Sequence, residues 1–219
     1  MEGKKIKLNR TIREQIADII RQEIITERLK PGQQIVEREI SNLLNVSTTP
    51  VKEAFRTLES EGLMISIPRR GTFVTDFAKQ SIEQTNIIRS SLEGAAARIA
   101  AARMDKEQID ELEKLLKLAK GYLNAGKLEE AVKINTKFHQ TIRNAGNNSF
   151  LISSIKTLKS YENTFRYKAL EDPDEREKGY NEHFSILQAI KAGDLELVET
   201  LMRNHIRRSS MHVMTKKEE

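Results

Sequence analysis

The spacing of apolar residues divides the chain into a region of short helices, a hairpin and a long helical region. In the first third, apolar residues recur at intervals of three and four, which is typical of amphipathic helices. This pattern predicts three helices, and Thr11-x-x-Glu14 is a capping-box pattern that favours the start of the first. Their expected buried stripes are Ile12, Ile16, Ile19, Ile20 and Ile24, then Val36, Ile40, Leu43 and Leu44, then Val51, Ala54, Phe55 and Leu58.

Two short segments after the third helix, residues 65–67 and 72–75, have the alternating pattern of β-strands. Pro68-Arg69-Arg70-Gly71 lies between them and predicts a positively charged turn. Three short helices followed by a basic hairpin indicate a winged helix-turn-helix, in which the third helix enters the major groove of DNA. The sequence therefore predicts a double-stranded DNA partner.

The candidate DNA contacts lie at the start of the third helix and at the hairpin tip. Hydroxyl and ammonium groups there can donate to phosphates or bases, and a helix N-terminus itself favours phosphate. The alternative interpretation is that the hydroxyls only cap the helix and that the two arginines only form a solvent-exposed turn. The candidates are Ser47, Thr48, Thr49, Lys52, Arg56, Arg69 and Arg70.

Four segments of this region resemble the GntR family of bacterial transcription regulators. They are residues 29–40 (LKPGQQIVEREI), 46–55 (VSTTPVKEAF), 61–63 (EGL) and 68–74 (PRRGTFV). The resemblance implies DNA contacts from Arg38, from residues 47–52 and from Gly71. Thr48 and Lys52 depart from the family pattern, since arginine is usual at both positions. Threonine lacks the charge and lysine lacks bidentate geometry, so the resemblance implies an altered operator and weaker phosphate contacts.

Beyond the hairpin the apolar pattern is helical throughout and predicts a bundle of six helices. The fold class expected is therefore mainly α, with a winged helix-turn-helix over residues 1–76, a connector at 77–80 and an all-helical domain over 81–219. The predicted helices lie near residues 82–103, 109–123, 128–145, 150–170, 175–192 and 194–212.

Three of the four histidines fall on the apolar sides of these predicted helices. His139 lies one turn after Asn135, so both side chains leave the same face, and His183 and His205 lie on the apolar stripes of two further helices. Neutral imidazole is the commonest transition-metal ligand, and three of them suit zinc, nickel, manganese or iron. The alternative is three hydrogen-bonded core histidines, and the spacing alone leaves both interpretations open.

Residues 82–212 resemble the FCD ligand-binding domain of the FadR subfamily within the GntR family. The resemblance is carried by residues 88–93 (IRSSLE), 138–139 (FH), 145–147 (AGN), 182–183 (EH) and 204–205 (NH). Many FCD domains hold a metal with one aspartate and three histidines, which implies the set Asn135, His139, His183 and His205. Asn135 replaces the aspartate, and its neutral amide oxygen is a weaker ligand for a hard cation. A divalent transition metal is still expected, with an ordered water or the effector itself as the alternative.

The same resemblance implies a small organic acid, a sugar acid or a fatty-acid derivative as effector. Arg89, in the family's Arg-x-x-x-Glu segment, is the first candidate to pair with its carboxylate, and Arg143 is the second. The alternative for either arginine is a structural salt bridge, and Arg89 and Glu93 form an i, i+4 pair within one helix. The expected protein is a homodimer on a pseudo-palindromic operator, most commonly a repressor, whose affinity the effector shifts.

Composition narrows the function class further. The net charge of +5 permits a polyanionic partner, and the absence of cysteine excludes disulfides, thiolate zinc sites and cysteine nucleophiles. No apolar run approaches the roughly 18 residues of a membrane span. The charged first residues lack the apolar segment of a signal peptide. We therefore expect a cytoplasmic protein with no membrane partner.

Two other function classes are compatible with parts of the pattern. A metal-dependent enzyme with a DNA-binding appendage would use the three histidines to activate water. The chain has no His-Glu-x-x-His motif, nucleophile elbow or phosphate-binding glycine loop, so we expect no enzyme. A purely architectural DNA protein, whose bundle only dimerises, would bind DNA without responding to any metabolite.

Overall fold

The protein is mostly helical and has the predicted order of a winged helix-turn-helix followed by a helical bundle. The chain divides into two compact units between Thr85 and Asn86. The connector expected at 77–80 lies shortly before that division. Its residues 78–80 are the first residues of a helix, Ala78–Ala101, that continues through the division, and its role as the domain boundary stays a prediction. No helix in the described part is both long and apolar enough to cross a membrane. The computed structural model describes residues 11–76, 78–158, 169–170 and 172–215.

The first unit contains three helices and a small sheet among its described residues. Its elements are α1 Ile12–Ile25, β1 Gln34–Ile35, α2 Glu37–Leu44, α3 Thr48–Ser60, β2 Met64–Ile67 and β3 Gly71–Val74. The predicted capping box is confirmed at the start of α1. The Thr11 hydroxyl accepts a hydrogen bond from the Glu14 amide, and the Glu14 carboxylate accepts one from the Thr11 amide.

The three strands form an antiparallel sheet in the order β1-β3-β2. β2 and β3 are the predicted hairpin. β1 was not predicted, because a strand of two residues is too short to show an alternating pattern. Gln34 pairs with Phe73 and Ile35 pairs with Thr72, so the hairpin is tied to the chain just ahead of α2.

A buried arginine joins α1 to the end of α3. Arg21 exposes only 1% of its surface, and its Nε and Nη2 donate to the two carboxylate oxygens of Glu61 at 2.8 and 2.6 Å. Its Nη1 donates to Asp18 at 2.5 Å. Glu61 is also the C-cap residue of α3, so the same residue ends that helix and holds α1 against it.

The second unit is a helical bundle around one apolar core. Phe138, Ile186 and Val198 are among its fully buried members, and they come from three different helices. The predicted bounds of the helix over 128–145 are confirmed. Residues 159–168 and 171, which include much of the predicted helix over 150–170, lie outside the described residues. The helices are α4 Ala78–Ala101, α5 Lys106–Asn124, α6 Leu128–Ala145, α7 Ser149–Thr157, α8 Pro173–Ala192 and α9 Leu195–Thr215.

The prediction of an apolar inner face was wrong for one part of α4. Ile87 and Ile88 were expected inside and are 53% and 56% exposed. The inner face here is polar, because buried hydrogen-bonding groups occupy positions three and four residues apart. Those inward residues are Asn86, Arg89, Ser90 and Glu93, each at most 4% exposed.

Three predicted core residues at helix ends in the first unit are also exposed. Ile12 is the first residue of α1, Val36 is the N-cap of α2, and Leu43 lies one residue before the end of α2. They are 44%, 38% and 46% exposed, whereas Ile40 in the middle of α2 is buried. The regular spacing of apolar residues shows which face of a helix is buried. It does not show how far along the helix that burial extends.

We predict that Arg21→Ala destabilises the first unit by about 3 kcal/mol, because it leaves the Glu61 and Asp18 carboxylates without their buried partner. Amide hydrogen exchange of α1 and α3 measures this directly. Arg13→Ala, at an exposed position of the same helix, is the control and should change stability by less than about 0.5 kcal/mol. Equal effects of the two substitutions would show that the buried arginine does not hold these helices together.

Candidate functional site

The DNA-contact candidates of the first unit are all exposed. α3 begins at Thr48 after its N-cap residue Ser47, whose side chain makes no capping hydrogen bond. The Ser47 hydroxyl therefore does not cap the helix, which argues against the alternative interpretation that this residue serves only as an N-cap. The Lys52 ammonium lies 3.8 Å from the Glu37 carboxylate of α2 and is more than half exposed. The exposed set is Arg38, Ser47, Thr48, Thr49, Lys52, Arg56, Arg69, Arg70 and Gly71.

The tip of the hairpin has a conformation that requires glycine at position 71. Gly71 has φ +108°, and a Cβ atom there would lie 2.5 Å from the side-chain nitrogen of Gln34. That same Gln34 nitrogen donates to the Arg70 carbonyl oxygen at 3.0 Å. Arg69 also has a positive φ of 64°. The turn that presents both arginines is thus held in place by Gln34 from β1.

Three histidines meet inside the second unit. His139 of α6, His183 of α8 and His205 of α9 are 1%, 4% and 6% exposed. The His183 Nε2 lies 3.1 Å from the His139 Nε2 and 3.0 Å from the His205 Nε2. The Phe138 ring packs beside His183 with a centroid separation of 4.8 Å. The structure therefore brings together the three histidines that the sequence placed on separate helices.

This convergence cannot be satisfied by hydrogen bonds among the rings alone. An imidazole nitrogen carries one proton or one lone pair, so the His183 Nε2 can make a good hydrogen bond to only one of its two neighbours. A cation bound by all three lone pairs would resolve the conflict. Two nitrogens bound at about 2.1 Å and at right angles are about 3.0 Å apart, close to the observed spacing. The three histidines therefore fit a transition metal.

A carboxylate orients one of these rings from behind. The His205 Nδ1 lies 2.7 Å from a carboxylate oxygen of Glu182, and Arg208 donates to both oxygens of the same carboxylate. Arg208 also pairs with Glu175. When the Nδ1 proton is held by Glu182, neutral His205 presents its Nε2 lone pair to the cluster, the arrangement common behind metal-ligating histidines.

The Glu182 carboxylate is ionised over the whole physiological range. Burial opposes ionisation, but hydrogen bonds from His205 and Arg208, and the charge of Arg208, lower the pKa of Glu182 from 4.5 to about 2. The hydrogen bond with Glu182 in turn raises the pKa of Arg208. Because the folded-state pKa of Glu182 is depressed, its contribution to stability is complete above about pH 4.5 and is lost as the pH falls towards 2.

A small cavity adjoins the histidines. Its walls include Arg89, Asn135, His139, His205 and Arg208, and its volume is about 40 Å³. That is room for about three water molecules. The Asn135 Oδ1 is buried and has no hydrogen-bond partner among the described residues. An orphaned buried acceptor beside three converging imidazoles is available to a cation or to a ligand that donates a hydrogen bond.

The two arginine candidates for effector binding have different surroundings. Arg143 does not line the cavity; its Nε and Nη2 donate to both oxygens of buried Glu93 at 2.8 and 2.7 Å. This bidentate pair is the structural salt bridge that the sequence left open as the alternative, and an effector role for Arg143 stays a prediction. Arg89 does line the cavity, and its Nε is 3.9 Å from the Glu93 carboxylate. The close partner of Glu93 is thus Arg143 and not Arg89.

Comparison with known proteins identifies both units. Residues 12–74 match the bacterial regulatory proteins of the gntR family, and residues 87–208 match the FCD domain. The chain belongs to the GntR family. It is 32% identical to a probable D-xylose utilization operon transcriptional repressor of Paenarthrobacter nicotinovorans, over 94% of this chain and 91% of that one. It is 28% identical to the transcriptional repressor RspR of Escherichia coli K12, over 92% and 89%.

Solved structures show the same fold. Escherichia coli McbR/YncC superimposes with a TM-score of 0.64 at 22% identity and covers 93% of this chain and 97% of its own. The GntR family and the named relatives are transcription regulators, so this GntR protein is a regulator and not an enzyme. The metal-dependent enzyme considered from the three histidines is thereby set aside.

Sequence reasoning missed the residues that support the cluster of this GntR protein. Glu182 was noted only as the neighbour of His183, and Arg208 was not noted at all. Their role depends on contacts between two helices, because Glu182 of α8 bonds to His205 and Arg208 of α9. Residue spacing within one helix does not reveal such contacts. The position of Arg208 three residues after His205 is the one available hint, because it places both side chains towards the same partner.

We predict that Arg143→Met destabilises the GntR protein by about 3–5 kcal/mol, because Glu93 is left buried without its close partner. Arg89→Met should cost less than half as much, since Arg89 lies farther from Glu93. Urea denaturation followed by circular dichroism measures both. A larger loss from Arg89→Met would contradict the assignment of Arg143 as the structural partner and of Arg89 as a cavity residue.

Proposed function

We propose that this GntR protein is a repressor whose affinity for its operator is set by a small carboxylate bound beside a metal in the helical unit. The observation that carries the proposal is the convergence of three buried imidazoles. The His183 Nε2 lies 3.1 Å from the His139 Nε2 and 3.0 Å from the His205 Nε2. We also propose that it belongs to the FadR subfamily, whose FCD domains it resembles. A ligand can shift such a regulator only if it binds one arrangement of the protein more tightly.

The first unit supplies the DNA-reading surface. Lys52 and Arg56 project from α3 and Arg69 and Arg70 from the wing, so cations stand on both elements that a winged helix-turn-helix presents to DNA. Arg38 adds a charge on α2. These side chains would bind phosphates and base edges. The Thr48 hydroxyl would add a neutral contact where the family usually has arginine, beside the hydroxyls of Ser47 and Thr49.

We predict that Lys52→Ala and Arg70→Ala each weaken operator binding and reduce the slope of log affinity against log salt by about one, because each removes one phosphate contact. The measurement is a salt titration of fluorescence anisotropy on an operator selected from a random duplex library. Lys117→Ala, which removes an exposed charge from α5 of the other unit, is the matched control. An unchanged slope for both variants would exclude these residues from the DNA interface.

The metal would be held by His139, His183 and His205, with the Asn135 amide oxygen as a fourth ligand. It would supply a positive charge and vacant positions to which a carboxylate can bind. Glu182 holds the proton on the far side of the His205 ring and keeps the nitrogen that faces the cluster deprotonated. Arg89 stands on the wall of the same cavity, where it would pair with the other oxygen of the effector carboxylate.

We predict near-stoichiometric zinc or manganese in the purified protein and its loss in His183→Ala, because one of three imidazole ligands is removed. His212→Ala changes a histidine of α9 outside the cluster and should retain the metal. Elemental analysis of tag-free protein makes the comparison, and circular dichroism verifies the fold. Asn135→Asp, which adds a carboxylate, should tighten metal binding. Metal-free wild-type protein after incubation with either ion would contradict the site.

The effector would act by selecting a more open bundle. The cavity beside the histidines, about 40 Å³, has room for about three water molecules, which is less than a sugar acid or a fatty-acid derivative needs, so such a ligand would bind a state in which the surrounding helices stand farther apart. That preference is the source of a population shift.

Exposed Ile87 and Ile88 on α4 support the further proposal of a homodimer on a pseudo-palindromic operator, since adjacent large apolar side chains favour burial against a partner.

A further inference from the structure

One face of α8 lines a row of three cavities. Arg176, Gly179, Tyr180 and His183 are spaced three, four and seven residues apart and so share this face. An open groove of about 360 Å³ includes Arg176 and Tyr180 in its wall. A pocket of about 20 Å³ behind it includes Arg176, Tyr180 and also His183. Asn135 and Gly179 line both this pocket and the histidine cavity.

Two buried polar atoms in this row are available to a ligand. The Arg176 Nε and the Asn135 Oδ1 are buried and make no hydrogen bond among the described residues. A buried guanidinium nitrogen without an acceptor is costly, and an anionic ligand would satisfy it. Lys120, 5.3 Å from the centre of the Tyr180 ring, adds a second positive charge at the groove. Glu177 is the acidic residue of this wall and lies exposed.

Gly179 leaves space where the pocket and the histidine cavity adjoin. A Cβ atom at this position would have no atom of the described residues within 4 Å, apart from its own chain neighbours and helix backbone. Glycine inside a helix costs about 1 kcal/mol relative to alanine, so helix stability does not explain its presence. The absent side chain gives room for a ligand to pass between the two cavities.

We propose that this row, which we call the α8 passage, binds an elongated molecule with an anionic group at each end. One anionic group would pair with Arg176 and the other would reach the histidine cluster, so the inference rests on the function proposed above. Seven residues of helix separate Arg176 from His183, a rise of about 10 Å. The arginine side chain shortens that span, so several carbon atoms must separate the two acidic groups of the ligand.

The first test is a comparison of diacids with monoacids on the full-length, zinc-loaded protein by titration calorimetry. The probes are straight-chain dicarboxylates from succinate to sebacate and the monocarboxylates of the same chain lengths. We expect one diacid length to bind about tenfold more tightly than its monoacid, because only the diacid reaches Arg176. Equal affinity of diacids and monoacids at every length would overturn the proposal.

The second test uses variants of the passage. Arg176→Gln should abolish the preference for the diacid while leaving the affinity for the monoacid unchanged, and Arg176→Lys should restore part of it. Gly179→Leu should weaken diacid binding at least about tenfold by filling the passage. Gly121→Leu is the matched control, because this helical glycine also has open space around it and lines none of these three cavities.

Metal content and operator binding are measured on the same preparations, so the two proposals fail separately. A diacid preference that survives both Arg176→Gln and Gly179→Leu would overturn the α8 passage. So would the absence of binding by every acid. Retained metal, retained operator binding and retained monoacid affinity in those preparations would leave the proposed function intact. Loss of the metal site itself would instead appear as wild-type protein that does not bind zinc.

Discussion

Burying three imidazoles against one another is the constraint around which the second unit is organised. Each ring can offer the others only one proton or one lone pair, so the three facing nitrogens cannot all be satisfied from within the cluster. Glu182 and Arg208 hold one ring from behind, and the Phe138 ring closes the apolar side. The inward polar stripe of α4 brings Arg89 to the adjoining cavity. A bound cation is the simplest group that satisfies all three rings, and a carboxylate can then bind both the cation and Arg89.

The same arrangement explains how a ligand can alter the state of the protein. The two cavities that adjoin the cluster, about 40 and 20 Å³, have room for only a few water molecules, so a longer diacid would need a wider bundle. Closely packed helices resist small continuous adjustments and tend to exchange between discrete arrangements. On the proposed function, the affinity of the effector for the wider arrangement would set the free energy available to change DNA binding.

Much of the fold was predictable from the sequence, because it depends on local signals. The Thr11 capping box, the hairpin around Gly71 and the helix over 128–145 follow from residues close together in the chain. The inner face of α4 was mispredicted because Ile87 and Ile88 point outwards while charged residues point in. That inversion is stabilised by an ion pair between helices, from Arg143 to Glu93, and no local pattern reveals it.

The candidate site shows the same division between local and long-range information. The histidines were recognised because each lies on the apolar stripe of its own helix. Two features depend on how α8 packs against its neighbours, which the sequence leaves open. They are the carboxylate behind His205 and the buried Arg176 Nε, which has no hydrogen-bond partner among the described residues. The role expected for Arg143 was inferred from one helical turn of spacing to His139, and that spacing does not show which partner the guanidinium takes.

The proposed function requires that acid binding in the helical unit be coupled to DNA binding by the other unit. The most direct measurement is the affinity of a dicarboxylate for the zinc-loaded protein, by calorimetry, with and without saturating operator duplex. We predict that operator changes this affinity by at least about fivefold, and that the acid changes operator affinity by the same factor, because linkage is reciprocal. An acid that binds equally well in the presence and absence of operator would contradict this coupling and with it the proposed function.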